Sequence, residues 1–193
     1  MFAGHFGLAA AIKSKRADVP LWALMLSTQL LDVIFVVLVL TGVESFTAGG
    51  YGEGTIHAYY THSLVGALLI ALVAGLLAGR WWGRSGALVI AATVFSHWIL
   101  DLIVHRADLP ILPGNLGNLP LLGFGLWQEP LISASVEGFL ILIGGWLYFS
   151  SVLSRARSVT ANPQRARAWA IASGTILCTL MALSLITDFT GIG

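Results

Sequence analysis

The chain has 193 residues, of which 57% are hydrophobic and only 10% are charged, and its formal net charge is +1. A soluble domain of this length could not bury so much apolar surface, so the composition predicts a membrane protein. No basic patch is large enough to neutralise several phosphates, which argues against a nucleic-acid partner. We therefore expect membrane lipid to be the main partner of the chain.

The N-terminal segment MFAGHFGLAAAI is apolar but precedes Lys13, Lys15 and Arg16, the reverse of the charge order in a secretory signal peptide. A helix needs about 20 apolar residues to span a bilayer, and this segment is shorter. The sequence predicts a short re-entrant or interfacial helix at this position.

Five later segments are long and apolar enough to cross a bilayer as helices. They cover residues 20–40, 60–79, 86–105, 130–153 and 168–186. The sequence therefore predicts an all-α, polytopic membrane protein. We expect one domain over residues 1–193, with about five transmembrane helices in addition to the N-terminal helix.

Lysine and arginine residues cluster in alternate connections between these segments. The clusters are Lys13, Lys15 and Arg16, then Arg80 and Arg84, then Arg155, Arg157, Arg165 and Arg167. The positive-inside rule assigns these connections to the cytoplasm, with a cytoplasmic N-terminus and an outward C-terminus. Loops 41–59 and 106–129 then face outward. The second loop is either a flap that dips into the membrane interface or a plain connector.

Ionisable side chains interrupt the third predicted span, where residues 96–105 read SHWILDLIVH. His97, Asp101 and His105 are spaced i, i+4 and i+8, which places them along one face of a helix. Ionisable groups within a membrane persist mainly where they pair, bind a ligand or line a cavity. This spacing fits either a site for a divalent cation such as zinc or a hydrogen-bond network at the helix end. Asp108, beyond the helix end, is expected to be solvated.

Other ionisable residues fall at similar depth when each helix rises by about 1.5 Å per residue. Asp32 and Glu137 share a layer with His97 and Asp101 in the outer half of the bilayer. His62 lies nearer the outer surface, and His57 lies in the loop before it. Local alternatives remain open: Asp32 pairing with Ser27 or Thr28, Glu137 pairing with Arg106, and Thr61 or Ser63 capping a helix.

Four short motifs occur within residues 1–115. They are Gly4-His5, Leu30-Leu31-Asp32, the segment HAYYTHSL at 57–64, and Ser96-His97 followed by Asp101. Together they resemble the motifs of the bacterial membrane-bound metal-dependent hydrolase family. The resemblance implies a bacterial inner-membrane protein whose metal ligands are His5, Asp32, His57, His62, His97 and Asp101.

The chain departs from the family pattern at three positions. Ile34 stands where the family commonly has a second aspartate, Ala58 where it has an arginine, and His105 where it usually has a proline. One metal position is then lost, shifted, or completed by His105 or Glu137. The order of the ligand residues is also similar to that of zinc-dependent phospholipases C.

The sequence thus predicts a membrane-embedded hydrolase that cleaves a lipid or lipid-like (phospho)ester with a metal-activated water. We expect one or more divalent ions, with zinc as the first choice, and His105 as a further ligand. Glu137 and Asp32 are the predicted catalytic carboxylates, with Glu137 as the base. The alternatives are a small ion or proton transporter or channel, and a structural metal-binding membrane protein.

Overall fold

The computed structural model describes residues 2–47 and 54–190, and within these ranges the chain is almost entirely helical. The helices are α1 (Phe2–Lys15), α2 (Leu21–Thr28), α3 (Leu30–Leu40), α4 (Leu64–Val104), α5 (Pro130–Arg157) and α6 (Pro163–Thr190). Strands β1 (Ser45–Phe46) and β2 (Ile56–His57) pair antiparallel between α3 and α4. Short 3-10 turns at Pro113–Asn115 and Leu126–Gln128 lie between α4 and α5. The predicted all-α class is confirmed.

Among the described residues, α4, α5 and α6 are long and apolar enough to cross a membrane. Helices α2 and α3 pass the same test only as a pair, bent by 53°, and with α4 counted as one helix this gives four candidate spans at most among the described residues. The five separate spans predicted from the sequence are therefore not found as such. Segments 60–79 and 86–105 fall largely within the single element α4, and segment 20–40 is broken into α2 and α3.

Helix α4 folds back on itself at Gly83, whose φ of 62° is left-handed backbone that glycine adopts without steric penalty. Along a straight helix, residues 35 positions apart would be separated by about 50 Å. Instead, Nε2 of His62, just before α4, lies 3.3 Å from Nε2 of His97. The two halves also touch at Gly75, where a Cβ atom would lie 2.8 Å from that of Ala91. They run antiparallel, so both ends of α4 lie at the same end of the bundle.

Helix α1 is packed inside the bundle, mainly against α5 and also against α2 and α6. Its contact with α5 is at backbone distance: a Cβ atom on Gly7 would lie 2.6 Å from the carbonyl oxygen of Leu140. Similarly, a Cβ atom on Gly144 would lie 1.9 Å from the carbonyl oxygen of Gly7. Small residues permit this close helix approach. The burial of α1 favours the re-entrant over the interfacial alternative.

Two apolar clusters hold the helices together. The first lies between the α2–α3 pair and both halves of α4, and it includes Val19, Leu24, Leu31, Ile90 and Val94. The second lies between α1, α5 and α6, and it includes Ala3, Ala10, Ile141, Tyr148 and Met181. Many large apolar side chains point outward, among them Leu72, Leu142 and Leu180. Such a surface would aggregate in water and is suited to lipid.

The basic segments meet at one end of the bundle. The Arg16 guanidinium donates to Oγ of Ser85, near the fold in α4, at 3.0 Å. The Ser151 hydroxyl, near the end of α5, donates to the backbone carbonyl of Ser14 at 3.1 Å. The opposite end carries the start of α1, both ends of α4 and the start of α5. The predicted ligands lie toward that opposite end.

Candidate metal centre

Six predicted ligands form a cluster where α1, α3 and the two ends of α4 meet. They are His5, Asp32, His62, His97, Asp101 and His105. All except Asp32 are buried, and the Asp32 side chain is 35% exposed. Buried imidazoles and carboxylates at such density require partners or a bound cation.

Three atoms of this cluster have the spacing of a tetrahedral metal site. Nε2 of His62 lies 3.3 Å from Nε2 of His97 and 3.3 Å from Oδ1 of Asp32. Nε2 of His97 lies 3.5 Å from the same oxygen of Asp32. Ligands about 2.0–2.1 Å from a tetrahedral zinc ion lie about 3.3 Å from each other. The three residues could therefore hold a metal ion.

Asp101 connects these three residues to His5. Its Oδ2 lies 3.0 Å from Nε2 of His97 and 3.5 Å from Nε2 of His62, so it could complete the first set. Its Oδ1 lies 3.2 Å from Nε2 of His5. His5, His97 and Asp101 are a second, overlapping set of possible ligands. Both sets include His97.

Hydrogen bonds behind two of the imidazoles determine which nitrogen carries the proton. Nδ1 of His97 donates to the backbone carbonyl of Thr28, and Nδ1 of His105 donates to Oδ1 of Asp108 at 2.9 Å. A carbonyl or carboxylate oxygen can only accept, so the proton belongs to Nδ1 in each ring. The Nε2 atom of each neutral ring then presents a lone pair toward the centre of the cluster.

His62 is oriented by a two-step relay. Nδ1 of His62 donates to Oγ1 of Thr61 at 2.9 Å, and the Thr61 hydroxyl donates to Oε2 of Glu44 at 2.9 Å. Glu44 is only 3% exposed, and its Oε1 accepts from the backbone N–H groups of Tyr60 and Thr61. Metal-binding histidines characteristically have such a partner behind the ring.

In neutral rings with these tautomers, Nε2 of His62 and Nε2 of His97 each carry a lone pair and lie 3.3 Å apart. Two lone pairs at this distance repel unless a proton or a metal ion lies between them. Oδ1 of Asp32 adds negative charge at the same point. The arrangement is therefore chemically suited to a cation.

The bend between α2 and α3 supplies one of the acceptors. Gln29, with φ −111° and ψ 5°, ends α2, and the carbonyl groups at the end of a helix lack partners within it. The carbonyl of Thr28 is thus available to His97. The bend also places Asp32 in the first turn of α3, facing His62 and His97.

Two of the local interactions predicted for the polar residues can be compared with the structure, and only one of them is found. The Ser27 and Thr28 hydroxyls donate to backbone carbonyls of α2, so they do not serve as the partners of Asp32. The Ser63 hydroxyl accepts from the N–H of Gly66 at 3.0 Å, so the predicted cap is confirmed. This cap fixes the start of α4 next to His62.

Three predicted site residues are in neither ligand set: His105, which lies in the cluster described above, His57 and Glu137. His57 lies exposed in β2, where its Nδ1 is 3.4 Å from the hydroxyl of Tyr59. Glu137 is fully buried, and its Oε2 accepts from the backbone N–H of Gly4 at 3.1 Å. A carboxylate is favourable at a helix N-terminus. Glu137 thus anchors the helix that carries His5, and its role as a base remains a prediction.

A cavity of about 140 Å³ opens beside the cluster. Its lining consists of Phe2, Asp32, Phe35, Ile56, His62, Asp101, His105 and Trp127. The Trp127 ring, which comes from loop 106–129, lies 4.3 Å from the ring of His105. The loop therefore contributes Trp127 to the cavity wall, while the choice between a flap in the membrane interface and a plain connector stays a prediction.

The sequence did not predict the residues that support the Nδ1 side of the imidazoles. Asp108 is not solvated as expected, because its side chain is 25% exposed and bound to His105. The sequence feature that indicates this contact is the position of Asp108, three residues after His105 at the end of a helix. Glu44 had no comparable signal, since the fold brings it to Thr61 across the β-hairpin.

Comparisons with protein-family models, with curated proteins and with solved structures found no match for this chain. The site is therefore interpreted from its own geometry.

Proposed function

We propose that the protein is a membrane-embedded, metal-dependent hydrolase that cleaves a lipid or lipid-like (phospho)ester. The observation that carries the proposal is the tetrahedral spacing of Asp32, His62 and His97 around one point, with hydrogen-bond partners behind both imidazoles. The resemblance of the sequence motifs to the bacterial membrane-bound metal-dependent hydrolases points the same way.

Zinc is the metal we propose, since two imidazoles and one or two carboxylate oxygens at this spacing match its preferred ligands and geometry. A divalent ion in such a site polarises a scissile oxygen and activates water as a nucleophile. Asp101 and His105 line the cavity next to the three ligands, where substrate and water would meet.

His105 has the surroundings of a proton acceptor. Its Nδ1 donates to Asp108, and its Nε2, 3.8 Å from Oδ2 of Asp101, faces the cavity. An imidazole held by a carboxylate in this way can take a proton from an attacking water and return it to a leaving oxygen. We therefore propose His105 as the base, ahead of Glu137, whose carboxylate is engaged with the start of α1.

We further propose that the chain crosses the inner membrane five times, with the two halves of α4 as separate crossings and the bent α2–α3 pair as one. The basic end would lie in the cytoplasm and the metal centre in the outer half of the bilayer. Impermeant maleimide should then label Thr55→Cys in intact cells and Ser158→Cys only after lysis, in a Cys178→Ser background. The reverse labelling pattern would show that the topology is opposite to the one proposed.

The transporter alternative requires a polar path to both faces. Between the cluster and the basic end lie Val19, Leu24, Ile90 and Val94, which are buried and packed together. The nearby Thr93 hydroxyl donates to a carbonyl of its own helix. This apolar packing among the described residues supports a hydrolase over a conduction path.

The test is to purify the protein in detergent, measure its metal content by mass spectrometry, and assay release of headgroup or fatty acid from phospholipid micelles. Asp32→Asn should lose metal and hydrolysis together. Asp18→Asn, the same chemical change at the basic end, should retain both. Wild-type protein that is folded but free of divalent metal, or metal-loaded but inactive on every lipid ester, would contradict the proposal.

A further inference from the structure

An apolar groove runs along the outside of the bundle where α1, α2 and α3 meet. It has a volume of about 390 Å³, and its apolar lining is Phe2, Phe6, Met25, Leu26, Val33 and Val36. Four of these side chains are 45–54% exposed. In a membrane, the groove would open directly to the hydrocarbon.

The groove adjoins the cavity beside the metal centre. Phe2 and Asp32 line both of them. Asp32 is also the only partly exposed member of the six-residue ligand cluster, with Oδ1 directed at His62 and His97. Gln29 fixes this junction, because its side-chain amide donates to the backbone carbonyl of Phe2 at 3.2 Å. The polar centre therefore lies beside an apolar groove on the side of the bundle.

We propose that this groove binds an acyl chain of the substrate, so that the ester to be cleaved lies at Asp32 and the polar headgroup lies in the cavity. The proposal rests on the proposed function and defines its substrate as a membrane lipid that enters laterally from the bilayer. An acyl chain matches the groove because the walls are apolar along its length and carboxylate chemistry occurs only at the junction with the cavity.

A second apolar groove on the bundle differs from the first because it has no metal-ligand residue in its described lining. It lies between the α2–α3 pair and the first half of α4, has a volume of about 440 Å³, and is lined by residues such as Trp22, Leu69 and Trp81. None of the described residues that line it is a carboxylate or an imidazole. Bulk lipid can fill this second groove, but a lipid held there does not reach the metal ligands.

Val36 and Val37 provide a matched pair of positions for the test. They are neighbours on α3 and are 54% and 53% exposed, but only Val36 lines the groove. Val36→Trp should fill the groove, whereas Val37→Trp should add the same bulk toward lipid. Both variants should keep the fold and the metal content, because neither residue is a ligand.

The first measurement is photo-crosslinking of metal-stripped protein with a phospholipid that carries a diazirine near the end of one acyl chain. In wild-type and Val37→Trp protein, mass spectrometry should map the label to α3 and the start of α1. Val36→Trp should lose most of this label. Equal labelling of the two variants would overturn the proposal.

The second measurement is kinetic. For a long-chain phospholipid, Val36→Trp should raise KM by about tenfold or more relative to Val37→Trp, with kcat on a short-chain, water-soluble analogue unchanged. Equal KM values would overturn the groove assignment while leaving the hydrolase intact. Wild-type protein that hydrolyses neither substrate would overturn the proposed function, whatever the labelling shows.

Discussion

The two ends of the helix bundle carry charge in opposite ways. At one end, Arg16 and Asp18 pair on the surface, in contact with solvent. At the other, imidazoles and carboxylates are buried together and linked by hydrogen bonds that extend to Thr28, Asp108 and Glu44. Exposed charges contribute little to stability but direct membrane topology. Buried ones persist mainly where they pair, bind a ligand or line a cavity, which is why the proposed metal centre is placed at the second end.

The largest effect is expected when a ligand at the centre of the buried cluster is removed. His97→Ala should abolish metal binding and hydrolysis, since His97 belongs to both ligand sets. It should also destabilise the fold by about 1–3 kcal/mol, because the Thr28 carbonyl and Asp101 lose a buried partner. Metal analysis and thermal unfolding would measure the two effects.

Asp101→Ala should behave similarly, through Oδ2 toward His97 and Oδ1 toward His5. The comparison variant is His57→Ala, since the resemblance implies that His57 is a ligand whereas the structure places it in neither set. We expect His57→Ala to retain its metal. If instead His97→Ala and Asp101→Ala both keep full metal content in folded protein, the metal centre is disproved and the proton-path alternative takes its place.

The next largest effect is expected from removing the hydrogen-bond partner of Nδ1 of His62. Thr61→Val removes the hydroxyl that links Nδ1 of His62 to Glu44 while preserving the shape of the side chain. Loss of such a partner typically weakens metal affinity by about 10–100-fold. Competition with a fluorescent chelator would measure the change. Thr93→Val, whose hydroxyl donates only within its own helix, is the matched control and should leave affinity unchanged.

Substitution of His105 distinguishes a role as metal ligand from a role as proton acceptor. If it acts as the base, His105→Ala should keep the metal and lower kcat by about 10²–10⁴-fold. Asp108→Asn should produce a smaller loss of the same kind and alter the pH profile of kcat, since it changes the partner of Nδ1. Loss of metal in His105→Ala, to the same extent as in His97→Ala, would make His105 a ligand and return the role of base to Glu137.

The parts of the fold that follow from local pattern were predictable. The i, i+4 spacing places His97 and Asp101 on one helix face, and the structure confirms that they contact each other at 3.0 Å. The apolar runs locate the helical segments, but they do not reveal that two runs join through Gly83 into one folded element. That join depends on a single residue with left-handed backbone, which leaves no trace in hydropathy.

The supporting residues could not be predicted, because they depend on tertiary geometry. The Thr28 carbonyl becomes an acceptor only because the chain bends at Gln29, and Glu44 reaches Thr61 only because the β-hairpin folds over the start of α4. The burial of α1 likewise depends on backbone contact between Gly7 and Gly144. Glycines in membrane helices are too common for that pairing to be read from sequence.

The smallest effect is expected at the basic end. Arg16 donates to the exposed Asp18 carboxylate at 2.6 Å, and this hydrogen bond lowers the pKa of Asp18 to about 2. Because the folded-state pKa is below the ordinary value of 3.8, the pair stabilises the fold above that value. Its contribution is lost as the pH falls through about 2.

Asp18→Asn should therefore leave metal content and activity unchanged at neutral pH and alter thermal unfolding only slightly, as solvent screens an exposed pair. Scans at pH 7 and at acid pH would show a small difference from wild type that vanishes near pH 2. A large loss of stability or metal in Asp18→Asn would mean that the two ends are energetically coupled through α1, whose opposite end carries His5. In that case the contrast between a surface that directs topology and a buried centre that binds metal would no longer hold.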